Sequence, residues 1–232
     1  AYYQLRNLGE IKTLAIEKLE ELTRREVKIG ETEMDIVHGL SIRLKDVSVK
    51  SRFAKEPELT ARSVFVVVRL LPLLAKRVEI KKIIVQGTSL RVVRDATGRF
   101  SLGNVKKWIT QPAESGLFKV LRVSLMNQLM VENGSIHFQD FLNRPADDPL
   151  PMDLKHIHFS VQKKLIGSPF QFNLKGEIPS GNSPTAFQVS GAFDNFPKDR
   201  GFTGISIDGK ARVDELNVSN LQPYLKKVLV KA

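Results

Sequence analysis

The sequence predicts a mostly β protein with an N-terminal α-helix, built as a long curved antiparallel sheet, taco-like in section, with short helices. Three observations predict it. Apolar residues recur at every second position through most of the chain after Gly30. Helical spacing of three, four and seven is confined to the first segment. Clusters of Pro, Gly, Asn and Asp at 143–151 and 179–185 punctuate the alternating runs as loops.

In the first segment Leu5, Leu8, Ala15, Leu19 and Leu22 form one stripe, flanked by Ile11 and Ile16. Glu17, Lys18, Glu20 and Glu21 lie opposite, so residues 1–26 read as an amphipathic helix capping a sheet edge. After Gly30, Ile42 and Leu44 share a face, but Val47 and Val49 are out of phase with them. That slip predicts a bulge or short turn near Asp46. Val64–Val68 is apolar at every position and reads as a strand buried on both faces. Leu70–Leu74 with Pro72 reads as a short helical turn or bend.

Val78 and Ile80, then Ile83 and Val85, give a strand that changes phase; Gly87 is read as the break before a next strand at Leu90 and Val92. Asp95–Gly98 reads as a tight hairpin turn. Residues 103–118, with a short helix around Val105–Ile109, form a connector. Beyond it Ile136 and Phe138 alternate, as do Ile157, Phe159 and Val161. Phe170, Phe172, Leu174 and Ile178 share one face, and Phe187, Val189 and Phe193 another. Ile205, Ile207, Gly209, Ala211 and Val213 alternate with polar Ser206, Asp208, Lys210, Arg212 and Asp214. Leu221–Val230 closes the chain as a short helix or strand. Val78–Asp95 and Val123–Asp140 form a weak repeat of strand, Gly, strand and acidic end, with Gly87 matched to Gly134. The chain divides into the helix 1–26, a first β unit 27–112 and a second unit 113–232 that continues the same sheet.

No catalytic constellation is expected, and no cofactor. There is no cysteine, which excludes disulfides and thiolate sites. His137, His156 and His158 could meet on one polar strand face as metal ligands, but a solvated face accounts for them as well. Asp147 and Asp148 are adjacent on a loop, which does not define an acid–base pair. Asp95–Gly98 resembles only half of a calcium loop. The chain is therefore read as non-enzymatic.

The net charge is +11, and residues 1–112 carry 22 Lys/Arg against 13 Asp/Glu. A basic half fits anionic lipid, lipopolysaccharide or nucleic acid, or merely a soluble surface. With one Trp and three Tyr, stacking on single-stranded nucleic acid is disfavoured, and no nucleic-acid partner is expected. No stretch approaches the ~20 apolar residues of a membrane span; the best, Val64–Ala75, is broken by Arg69 and Pro72. An anchor upstream of Ala1 is consistent with a processed or partial chain. The apolar face of the sheet can be covered by a second layer or by the curvature of the sheet into a trough, and both remain open here.

A resemblance favours the trough. Arg25-Glu-Val-Lys-Ile-Gly30, His38-Gly-Leu-Ser-Ile-Arg43, Asp46-Val-Ser-Val49, Glu58-Leu-Thr-Ala-Arg62 and Leu70-Leu-Pro-Leu-Leu74 follow in an order that resembles the AsmA family of bacterial envelope proteins. Val78 to Val85, Gly87, Leu90 to Asp95 and Gly98 continue it. Val131 to Ile136, Phe138 to Asp140 and Leu216 to Tyr224 are similar to the family's next unit. The resemblance implies kinship of plan with chorein-type lipid-transfer proteins and a periplasmic body anchored to the inner membrane. It implies movement of phospholipid between membranes and a role in outer-membrane biogenesis. The expected partners are phospholipid, the membrane, and envelope proteins. The expected acyl-chain lining is Phe159, Phe170, Phe172, Phe187, Val189, Ile205 and Ile207. The rival expectation is an envelope scaffold that acts through sheet edges and binds no lipid.

Overall fold

Chains with apolar residues at alternate positions can bury them together only by pairing strands. The computed structural model describes residues 25–36, 40–50, 56–69, 80–101, 128–142, 149–163, 168–179, 183–193 and 207–214, with Lys12, Thr13, Ile16, Glu17 and Glu20. They form one open sheet of ten strands: β1 Glu26–Lys28, β2 Thr32–Asp35, β3 Ser41–Lys50, β4 Leu59–Val68, β5 Ile80–Arg94, β6 Gln128–Asp140, β7 Leu150–Lys163, β8 Phe170–Ile178, β9 Thr185–Phe193 and β10 Ile207–Asp214. Their order is β1-β3-β4-β5-β6-β7-β8-β9-β10, and β2 also pairs with β3.

Two expectations are corrected. The sheet is mixed, because β5 and β6 run parallel, from Lys82↔Gln128 to Arg94↔Asp140. A parallel pair needs a crossover of a dozen or more residues, and the long 95–127 connection supplies it. Gly87 does not end a strand either. Ile80–Arg94 is continuous, and Gly87 takes a left-handed φ of 62° within it. The repeat is therefore two single kinked strands lying side by side. The N-terminal helix over 1–26 is not supported as an element. Lys12, Thr13, Ile16, Glu17 and Glu20 have helical backbone, and most of the segment lies outside the described residues. The elements expected at Leu70–Leu74, Val105–Ile109 and Leu221–Val230, the connector 103–118 and the boundary at 112 also lie outside them.

The kink at Gly87 has counterparts. Asp46 (φ 49°), Asn133 (φ 52°) and His156 (φ 49°) are left-handed too, in β3, β6 and β7. Register places these residues in a row across the sheet. Lys45↔Ser63 and Val47↔Ala61 flank Asp46, while Ser63↔Gln86 and Ala61↔Thr88 flank Gly87. Gln86↔Glu132 and Ser89↔Ser135 then bracket Asn133. Gly134 pairs with Ile157 beside His156, at a shift of register. The phase slip expected near Asp46 is thus one station of a transverse seam.

The seam keeps the apolar residues on one side. A strand alternates strictly, so a slip of one residue turns everything beyond it to the other face. In β7, Met152 and Leu154 precede the seam in one parity, and Ile157, Phe159 and Val161 follow it in the other. Paired residues share a face, and Leu129, Val131, Ile136 and Phe138 oppose Val161, Phe159, Leu154 and Met152 respectively. A left-handed non-glycine residue costs roughly 1–2 kcal/mol. Without it, Met152 and Leu154 would exchange places with Asp153 and Lys155. Each fully buried Met or Leu contributes about 1.5–3 kcal/mol. Even at partial burial, two such residues and two misplaced charges outweigh the strain.

At the β1 end this face is closed. Val27, Ile29, Leu44, Val47, Val49 and Ala61 are buried together, with Ile16, Ile42, Leu59, Val64 and Val85 packed against them. On the reverse side Phe65, Val67 and Ile84 are each 2% exposed, so β4 is covered on both faces as its sequence predicts. Arg25 and Glu58 form a largely buried ion pair, and burial pushes the pKa of the guanidinium below its ordinary value. Arg25 Nη2 also donates to the Ser101 carbonyl at 3.2 Å, tying the entry of β1 to the hairpin that follows β5.

A left-handed seam makes a specific demand at Asn133. Asn133→Val places a β-branched residue at positive φ and is expected to lower stability by about 1–3 kcal/mol. Asn133→Gly is expected to stay within about 0.5 kcal/mol of the parent, relief of strain offsetting added chain entropy. Urea unfolding of the two variants checks this; equal losses would mean that the conformation at Asn133 is not required.

Candidate functional site

The apolar face opens as it leaves the core. Ile157 is buried, whereas Phe159, Val161, Phe170, Phe172, Leu174, Phe187, Val189 and Phe193 are half-buried, and Ile207 is 65% exposed. All eight residues of β10 are exposed. Register puts the side chains on one surface. Val161 opposes Phe172, Phe172 opposes Gly191, and Gly191 opposes Gly209. Phe159 opposes Leu174, which opposes Val189, which opposes Ala211. Of the expected lining, Phe159, Phe170, Phe172, Phe187, Val189 and Ile207 therefore share this surface; Ile205 lies outside the described residues. Leu129, Val131, Ile136, Phe138, Met152 and Leu154 extend the same surface beyond that set. Their parity changes at Asn133 and His156, and the Asn and His at those slips were the signal available in the sequence.

The aromatic rings lie low on this surface. A Cβ on Gly176 would come 2.7 Å from Phe187 Cζ, and one on Gly191 3.0 Å from Phe172 Cε1, so each ring covers a glycine. Aromatic cover of a glycine in a sheet protects exposed backbone. Phe170 and Phe193 stack with centroids 5.3 Å apart and planes at 12°. Phe172 leans on Phe193 at 6.2 Å. The result is a flat floor of rings and small residues.

The opposite face carries the polar groups. Gln188 Nε2 donates to Asn173 Oδ1 at 3.2 Å, and Gln86 Nε2 to Glu132 Oε2 at 2.8 Å. His137 Nδ1 lies 2.9 Å from Asp153 Oδ1, and His156 Nδ1 2.7 Å from Glu177 Oε2. The three histidines do not converge on a metal site: His137 and His156 each engage a different carboxylate, and no cluster of three metal ligands occurs among the described residues. Ser135 Oγ, 3.5 Å from His137 Nε2, completes the order of a nucleophilic triad with Asp153. The neighbouring amides belong to the strand ladder, so no oxyanion donors converge there, and His137 and Asp153 are 44% and 47% exposed. The row is a hydrogen-bonded strand surface.

At the far end of β5 the expected hairpin turn is present. Asp95 Oδ1 accepts from Thr97 N, Thr97 Oγ1 and Arg99 N at 2.8, 2.6 and 2.9 Å. The Thr97 side chain first, then the Arg99 amide, hold the Asp95 carboxyl below its ordinary pKa. These bonds account for Asp95 without a calcium ion. Asp147 and Asp148 lie outside the described residues.

A single open sheet with one unbroken apolar face, half-exposed over its second half, defines a β-sheet surface protein of the hydrophobic-platform type. The profile of the AsmA family matches residues 1–222, and the chain belongs to that family. Members are bacterial envelope proteins. Comparison with curated proteins gives no match. No described helix is long and apolar enough to cross a membrane.

The floor depends on a close approach at Gly191. A Cβ there would come 2.2 Å from the Asp208 carbonyl oxygen and 2.7 Å from Gly209 Cα, and neither can yield without parting β9 from β10. Gly191→Ala is expected to speed amide hydrogen exchange over 207–214 by about tenfold or more, while β3–β5 keep their protection. Unchanged exchange in β10 would contradict the packing described.

Proposed function

We propose that this chain is a non-enzymatic lipid-holding module whose apolar face, from β6 to β10, forms a groove for phospholipid acyl chains. The observation that carries this reading is the unbroken apolar face left half-exposed by its own chain. Large exposed apolar surfaces on monomeric proteins are uncommon and mark interaction sites. Each CH₂ removed from water contributes about 0.8 kcal/mol. A chain of about fifteen carbons gains on the order of 10 kcal/mol before ordering costs are subtracted. Membership of an envelope family supports phospholipid as the ligand. In the whole protein the module would act in the periplasm, anchored to the inner membrane. It would support phospholipid movement between membranes and outer-membrane biogenesis. The basic first half would lie near anionic head groups.

A second reading is an envelope scaffold that pairs through a sheet edge without lipid. The eight exposed residues of β10, the last strand of the described order, favour it.

Val189→Asp separates the readings, because Val189 stands in the floor between Leu174 and Ala211. Binding of a phospholipid with a fluorescent acyl chain is expected to fall at least tenfold, with the β signature in circular dichroism retained. Undiminished binding by a folded variant would remove the groove from this face.

A further inference from the structure

We propose that β10 pairs antiparallel with β10 of a second copy of this chain, about a two-fold axis at Lys210, and that the apolar faces of the two copies then run on as one. The pairing names the partner of this sheet edge and stands whatever the apolar face holds. Among the described residues β10 has one strand neighbour, β9, and all eight of its residues, Ile207–Asp214, are exposed. A strand in this position presents a row of backbone N–H and C=O groups to any further strand. Ile207 and Val213, opposite Phe193 and Phe187, stand on the apolar face of this edge and are 65% and 48% exposed. Asp208, Lys210, Arg212 and Asp214 alternate with them on the polar face.

The sequence of β10 complements itself in one register. With Lys210 opposite itself, Ile207 meets the partner's Val213, Asp208 the partner's Arg212, and Gly209 the partner's Ala211, and the two-fold axis repeats each contact. Paired residues share a face. The two exposed apolar side chains therefore cover each other at both ends of the ladder, and opposite charges meet on the polar side. The small pair of Gly209 and Ala211 continues the low floor, since a Cβ on Gly209 would come 3.6 Å from Phe172 Cζ. Lys210 against its own copy is the unfavourable rung, and the partner's Asp208 lies on the diagonal within reach of its long side chain. Arg212 Nε engages Asp214 Oδ1 at 2.7 Å, and the guanidinium keeps further donors for the partner's Asp208. Neighbouring registers are worse. An axis at Ala211 sets Asp208 against the partner's Asp214 and Lys210 against the partner's Arg212. An axis at Gly209 shortens the ladder of described residues to Ile207–Ala211 and leaves Val213 outside it.

Sedimentation velocity of the 232-residue chain over a range of concentrations tests the pairing. The parent is expected to pass from monomer to dimer as concentration rises, and an amine-reactive cross-linker to join Lys210 to Lys210. Asp208→Arg and Arg212→Asp each place like charges on two rungs, and each is expected to weaken the dimer about tenfold or more. An equimolar mixture of the two variants is expected to recover a mixed dimer, because Arg and Asp again oppose each other on both rungs. Both positions are exposed, and circular dichroism of each variant establishes that the fold is retained. A parent that stays monomeric at every concentration, as when its own continuation or a foreign strand takes the edge, overturns the proposal. A dimer that both variants leave intact, or variants that fail to associate on mixing, overturns it as well. None of these outcomes alters the phospholipid binding expected of the apolar face.

Discussion

The alternation of side chains along a strand is the constraint on which this structure depends. A sheet this wide must keep one apolar surface continuous over strands of up to fifteen residues, and such strands twist as they run. The chain breaks the alternation once in each of several neighbouring strands, at positions that register brings together. Asp46, Gly87, Asn133 and His156 turn left-handed in a single row. Glycine adopts that conformation without steric cost, and Asp, Asn and His are the side chains that tolerate it best. Because the breaks coincide, the pairs beyond the seam remain matched, and the ladder between β6 and β7 returns to its original register after Gly134.

The same surface then serves two purposes along the sheet. Near β1 it is a conventional core, with Val27, Ile29, Leu44 and Ala61 each no more than 5% exposed. The buried pair of Arg25 and Glu58 fastens this end. Toward β10 the surface is equally apolar, but its own chain covers it less and less. A gradient from closed core to open platform gives a stable foundation for an exposed apolar floor. Without such a foundation, a floor of this kind would favour rearrangement or aggregation.

Much of this was legible in the sequence. The strands of the second half stand where period two places them, and the hairpin at Asp95–Gly98 follows from turn chemistry. Six residues of the expected lining share one surface because alternation alone fixes their side. Two features misled. Glycine inside an apolar run signals both a turn and a kink, and the phase change beside Gly87 fits either. The parallel pairing of β5 and β6 depends on how a long connector crosses, which no local pattern encodes. The flat seating of Phe172 and Phe187 over glycines is a cross-strand relation, visible only once register is known.

The central claim is that the exposed apolar face is an open site for lipid rather than a face awaiting protein. Native mass spectrometry of the purified chain, with solvent extraction of whatever accompanies it, tests this most directly. The account predicts phospholipid bound at a defined stoichiometry. A clean ligand-free mass that persists after incubation with phospholipid micelles would contradict it.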